Sequence, residues 1–157
     1  MDDTLLAHSE DFVDRLLGPG TGARHTAFLA HLHDPALQEL LHRCHELQAD
    51  EQHLTIEEHY LIGMCVLCGQ RDYAIAGMFA KILRHRGVTG DKILTAVTRL
   101  AVWTGATTAA DAAGHIQRAV TDYDRHGIAS LEPWLPVPAT AATPAAPADD
   151  APRRTHE

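Results

Sequence analysis

The chain has 157 residues, with 21 acidic and 13 basic side chains and a formal net charge of -8 when histidine is counted as neutral. This length favours one domain. Because the chain is acidic and has no cluster of lysines or arginines, we exclude nucleic acid as a partner. No basic N-terminus leads into an apolar run, and no apolar run reaches about 18 residues, so we expect neither a signal peptide nor a membrane span. Three cysteines favour a reducing cytoplasm over a disulfide scaffold.

Helical periodicity runs through the first half of the chain. It predicts a helix over residues 1–17, which a glycine-rich segment ends, and then a short apolar segment over residues 27–33. Asp34 and Pro35 are typical of an N-cap and a first helical residue, so a further helix is expected to reach about residue 48. Apolar residues at steps of three and four predict its buried face, which consists of Leu37, Leu40, Leu41, Cys44 and Leu47.

The second half is predicted to be helical as well, over residues 56–68, 73–85, 90–103 and 107–125. Thr55 and Glu58 have the spacing of a capping box for the first of these helices, which Gly69 is expected to end. Asp72 can cap the second helix. No strand-like alternation is found, so the fold class is all-α.

The composition changes at residue 131. Proline and alanine dominate from there onward and apolar periodicity is lost, so we predict an all-α domain over residues 1–130 and a disordered tail over residues 131–157. Within the tail, Trp134 and its neighbours are expected to be able to fold back on the domain.

The middle of the chain carries a resemblance to a known family. Its pattern consists of Leu61-Ile62, a polar break at Gln70-Arg71-Asp72, Gly87-Val88-Thr89 with Asp91 and Ile93, and Val102-Trp103-Thr104-Gly105. This pattern resembles the core of the carboxymuconolactone decarboxylase and alkylhydroperoxidase D-like family. The resemblance implies a helical bundle built on a central hairpin over residues 57–86. It also implies a homo-oligomer, a trimer or hexamer, with that hairpin at the subunit contacts.

The family's usual site residues are not kept in this chain. Its two cysteine positions fall on Asp72 and Ile75, its histidine on Phe79 and its glutamate on Tyr60. The resemblance therefore implies a more apolar pocket or a changed or lost activity.

The first functional hypothesis follows the decarboxylase branch of the family. We expect a cofactor-independent enzyme that uses acid-base chemistry on a small organic substrate. His59 is the expected general base because its ordinary pKa lies near neutral pH, and Glu58 or Asp72 is its expected partner. Substrate-binding residues expected from the family's pocket are Tyr60, Phe79, Met78 and Trp103.

Two alternatives stay open. Cys65 and Cys68 form a CxxC pair that would suit a thiol-dependent peroxidase, although the negative end of a helix and apolar neighbours favour neutral thiols there. The other alternative is a non-catalytic oligomeric scaffold that docks a partner through its Trp134 tail. We predict no metal site, because His42 and His45 are expected to lie away from the inward face of their helix and most histidines are expected in solvent.

Overall fold

The computed structural model describes residues 3–31 and 34–134, with residues 132–134 described for the backbone only. Within these ranges the chain is helical and contains no strand, which confirms the all-α class. The α-helices are α1 (Asp3–Leu17), α2 (Thr21–Leu29), α3 (Pro35–Ala49), α4 (Ile56–Gln70), α5 (Tyr73–His85), α6 (Gly90–Arg99), α7 (Ala101–Thr104) and α8 (Ala106–His126). A 3-10 helix follows at Gly127–Trp134.

The helices form two groups that meet along one seam. Helices α4 and α5 make the expected hairpin, α5 also packs on α8, and α6 and α7 cover α8. In the other group α1 packs against both α2 and α3. This N-terminal group touches the hairpin through α1 with α5 and through α3 with α4. None of the helices in the described part of the chain is both long and apolar enough to cross a membrane.

Local capping starts the helices where the sequence predicts. The Thr55 hydroxyl accepts from the Glu58 amide at 3.2 Å and the Glu58 carboxylate accepts from the Thr55 amide at 2.9 Å, which completes a capping box for α4. The Asp72 carboxylate caps α5, and that of Asp34 caps α3. These three predictions are confirmed.

Two predicted helices differ from the observed ones. Helix α4 continues through Gly69 to Gln70 and ends at Arg71, which adopts the left-handed conformation with φ 64°. The predicted helix over residues 90–103 is divided between α6 and α7 at Leu100.

Helix α2 was expected only as a short apolar segment over residues 27–33, and that expectation is wrong. Its N-terminus is capped from another helix, since the Asp14 carboxylate accepts from the Gly22 amide at 2.6 Å. This bond is the main cause of the lowered pKa of Asp14. A side chain at Gly22 would overlap the backbone carbonyl of Glu10, so the two helices approach closely only because a glycine stands there.

The domain extends beyond residue 130. Leu131, which composition assigned to the tail over residues 131–157, is 1% exposed and belongs to the hydrophobic core. The neighbouring Ser130 carbonyl accepts from the Lys81 ammonium at 2.8 Å. Residues 135–157 and the side chain of Trp134 lie outside the described residues, so the expected partner docking through the tail stays a prediction.

The Arg86 side chain connects the two helix groups at one end of the seam. The Arg86 guanidinium at the end of α5 pairs with the Glu57 carboxylate of α4 at 2.7 Å and donates to the Arg15 carbonyl of α1 at 2.9 Å. The bond from Arg86 helps to lower the pKa of Glu57.

Candidate functional site

Helix α3 turns a different face inward from the one its leucines indicate. Leu37, Leu40 and Leu47 are 40%, 57% and 72% exposed, whereas His42 is 1% exposed. The predicted inward face of α3 is therefore wrong for these leucines, as is the expected position of His42. The physical reason is a buried hydrogen-bonding partner, Ser9 of α1, which the leucine periodicity of α3 does not register.

Ser9 joins two histidines of α3. Its hydroxyl oxygen lies 2.7 Å from Nδ1 of His42 and 2.7 Å from Nδ1 of His45, and the serine is itself 1% exposed. A serine hydroxyl has one proton and neutral imidazole has one N–H group. When both rings are neutral, Ser9 therefore donates to one histidine and accepts from the other.

The histidines are held neutral by burial. Burial lowers the pKa of His45 to about 4, and the neighbouring His25 adds to the shift. The His25 and His45 ring centroids are 5.1 Å apart, and His45 also stacks on Phe12 at 5.5 Å. Burial lowers the pKa values of His25 and His42 as well, although the charge of Glu10 partly opposes the shift of His42.

A cavity of about 490 Å³ lies along the seam between the two helix groups. Its polar lining comes from His25 of α2, Cys44, His45 and Gln48 of α3, and Tyr60 of α4. The other lining residues are apolar: Val13, Leu16, Leu17, Phe28, Leu29, Leu41, Ile75, Met78, Phe79, Ile82 and Leu131. No lysine, arginine, aspartate or glutamate is among these described residues. Such a cavity has the size and polarity of a small-molecule site.

Three of the expected substrate-binding residues meet in this cavity. Tyr60, Met78 and Phe79 all line it, and the Tyr60 and Phe79 ring centroids are 4.7 Å apart. Burial raises the pKa of Tyr60, so its hydroxyl stays protonated at neutral pH and can donate a hydrogen bond.

The structure does not assemble the expected catalytic group around His59. His59 is half-buried near the start of α4 and is not among the residues that line the described cavities. The Glu58 carboxylate is engaged by Thr55 in the capping box. Asp72 caps α5 beyond the opposite end of α4, roughly 20 Å away at the rise of an α-helix. Asp72 is therefore too distant to orient His59.

Cys65, Cys68 and Trp103 are not among the residues that line the cavity along the seam. Cys65 and Trp103 line a shallow apolar groove on α4, α6 and α7, and the Trp103 side chain is 85% exposed. Cys68 is fully buried, and both cysteines are free thiols. Burial raises the pKa of Cys65 and raises that of Cys68 to about 11, so both thiols are neutral at neutral pH.

Four residues of the cavity and of the Ser9 hydrogen bonds were not predicted as site residues: Ser9, His25, His45 and Gln48. The sequence contains one usable signal. His42 and His45 are three residues apart, which places them on the same side of α3, and Ser9 lies on the apolar side of α1. Among residues 3–31 and 34–134, no three His, Cys, Asp or Glu side chains are arranged to hold a metal ion.

Comparison with known proteins adds no further assignment. No family model matches the chain, and neither a curated protein nor a solved structure matches it.

Proposed function

We propose that the protein binds a small, largely apolar organic molecule in the cavity along the seam and acts on it by cofactor-independent acid-base chemistry. The observation that supports this proposal best is the cavity itself, whose mostly apolar lining includes the imidazoles of His25 and His45. The family resemblance also supports acid-base chemistry, but the residue we propose as the base is now His45 in place of His59.

His45 suits this role because its environment keeps it neutral and oriented. Its Nδ1 atom is engaged by Ser9, which leaves Nε2 as the ring nitrogen that can act on a bound molecule. A positioned neutral imidazole in an apolar cavity can accept a proton from a C–H or O–H acid. Ser9 then accepts from the imidazolium and donates to His42, so the charge gains a hydrogen-bonded partner without moving a heavy atom.

A model reaction tests the base directly. 5-Nitrobenzisoxazole is a small apolar compound that opens when a base removes its ring proton, and the product absorbs visible light. We expect turnover above the buffer rate, lost in His45→Gln and kept in His59→Ala. The rate should rise with pH around 4 and then level off, following the pKa of His45. Turnover that survives His45→Gln but is lost in His59→Ala would return the role to His59.

Binding can be tested without any reaction. Cys44→Phe places a ring in the cavity, whereas Val66→Phe places the same ring in the shallow groove on α4. Calorimetry with 1-octanol should show binding to the wild-type protein and to Val66→Phe, but none to Cys44→Phe. The reverse pattern would assign binding to the groove and refute the cavity.

The expected homo-oligomer and a location in the cytoplasm remain proposals too. Helix α4 of the hairpin exposes Ile62 and Val66, which are 52% and 53% exposed, beside Trp103. Exposed apolar patches of this kind are typical of protein contacts. Light scattering of the wild-type protein and of Val66→Glu tests the assembly, which the charged variant should dissociate.

A further inference from the structure

The charge pattern of the cavity restricts the polar group of its ligand. The titratable groups that face the cavity in the described residues are His25, Cys44, His45 and Tyr60. The histidines can become cations, whereas burial keeps the Tyr60 hydroxyl neutral by raising its pKa. A cationic ligand would therefore meet no carboxylate and would lie beside imidazoles that it discourages from protonation.

We infer that the natural ligand is a small monocarboxylic acid with an apolar body, whose acid group meets Nε2 of His45. This inference rests on the proposed binding of a small molecule in the cavity, and in this complex His45 is the protonated, acid form of the proposed acid-base group. The apolar lining from α1 and α5 takes the body of the molecule, and the imidazoles of α2 and α3 take the acid. The volume of about 490 Å³ suits a small organic molecule.

The proton balance follows from the Ser9 arrangement. The carboxylic acid gives its proton to Nε2 of His45, which becomes an imidazolium beside the new carboxylate. Nδ1–H of His45 donates to the Ser9 oxygen, and the Ser9 hydroxyl donates to Nδ1 of His42. Each polar hydrogen in this chain has one acceptor, and no further charge is introduced into the cavity.

The other groups packed around His45 allow this one cation. From α1 it meets Ser9 and the ring of Phe12, and from α2 it meets the neutral ring of His25. On α3 itself the His42 ring lies 6.3 Å away and also lowers the pKa of His45. Helix α5 lines the cavity with apolar side chains only, and α4 contributes Tyr60. Among the described residues no carboxylate contributes to the pKa shift of His45, so the acid of a ligand would make its protonation depend on the ligand.

Binding must therefore take up a proton. Near neutral pH a free carboxylic acid is ionised, since such groups have pKa values of about 4 in water, and free His45 is neutral. The complex holds one proton more than its separated parts, whether that proton sits on the acid or on His45. The affinity should then fall as pH rises, by up to tenfold per pH unit.

The test compares octanoate, 1-octanol and octylammonium with the whole wild-type chain by calorimetry at pH 6, 7 and 8. Each titration is run in two buffers of different ionisation enthalpy, which reports the protons taken up. We expect octanoate to bind with an uptake approaching one proton and with affinity that falls as pH rises. 1-Octanol should bind independently of pH, and octylammonium should not bind. His45→Gln should lose the proton uptake with octanoate, and His59→Ala should keep it.

The outcomes separate this inference from the function on which it rests. Binding of 1-octanol without octanoate, or of octanoate without proton uptake, overturns the acid ligand and leaves the cavity as a binding site. Failure of all three compounds overturns both. If His45→Gln does not fold, the histidine NMR signals of the wild-type protein decide the question, since saturation with octanoate should raise the pKa of His45 and an unchanged pKa overturns the inference.

Discussion

Acidification should destabilise the protein well above the range in which carboxylates titrate. His45 has a pKa of about 4 when folded and an ordinary value of 6.5 when the chain is unfolded. Because the folded value is the lower one, the unfolded chain binds the extra proton. The stability that His45 confers is present above pH 6.5 and is lost as pH falls toward 4. Between pH 7.5 and pH 5 this group alone should lower the free energy of unfolding by about 2 kcal/mol.

Urea unfolding followed by circular dichroism at pH 7.5, 6.5, 5.5 and 5.0 measures this loss. The lowered pKa values of Asp14 and Glu57 make the free energy of unfolding depend on pH only near and below their ordinary values of 3.8 and 4.5. Both values lie below the pH range of this measurement. His25, His42 and His85 have lowered pKa values and contribute in the same direction. His45→Gln isolates one group and should lose about 2 kcal/mol less than the wild-type protein over the same range. Equal losses in the two proteins would refute the burial of a neutral His45.

Three further predictions concern packing and the thiols. Gly22→Ala should lower the free energy of unfolding by about 1–3 kcal/mol, because its methyl group meets the Glu10 carbonyl, and an unchanged urea midpoint would refute the close contact of α1 and α2. Leu131→Ala should cost about 2–5 kcal/mol in the same assay, whereas a loss below about 0.5 kcal/mol would return Leu131 to the tail. Cys68 should react with iodoacetamide at pH 7.5 at least about a hundredfold more slowly than free cysteine. A fast Cys65–Cys68 disulfide after a peroxide pulse would instead favour the thiol peroxidase alternative.

Local signals explain why much of the helical framework could be predicted. A capping box such as Thr55 with Glu58, or an N-cap such as Asp72, acts within four residues of the helix that it starts. The pairing of α4 with α5 also follows from a short connection between two apolar helices. These features depend on residues that are close together in the chain, so they can be predicted from the sequence.

The errors over α2 and α3 have a different cause, which is contact between residues distant in the chain. Helix α2 receives its cap from Asp14 of α1, and the orientation of α3 depends on Ser9, which is 33 residues before His42. Apolar periodicity could not reveal either contact. The leucines of α3 indicated one face, but burial of two histidines on a shared hydroxyl turned another face inward. The site therefore escaped prediction even though Tyr60, Met78 and Phe79 of its lining were singled out.

The shared hydroxyl of Ser9 also couples the cavity to a ring that is not among its described lining residues. A ligand acid at Nε2 of His45 requires the His45 tautomer with hydrogen on Nδ1, so Ser9 accepts from His45 and donates to Nδ1 of His42, which then carries its own hydrogen on Nε2. The free protein also permits the opposite arrangement, in which His42 donates to Ser9 and Ser9 donates to His45. The ring nitrogens of His42, 1% exposed, thus register an event in the cavity without contact with the ligand. Nitrogen-15 shifts of the His42 imidazole would therefore report which of the two arrangements is present in the free protein and in the complex.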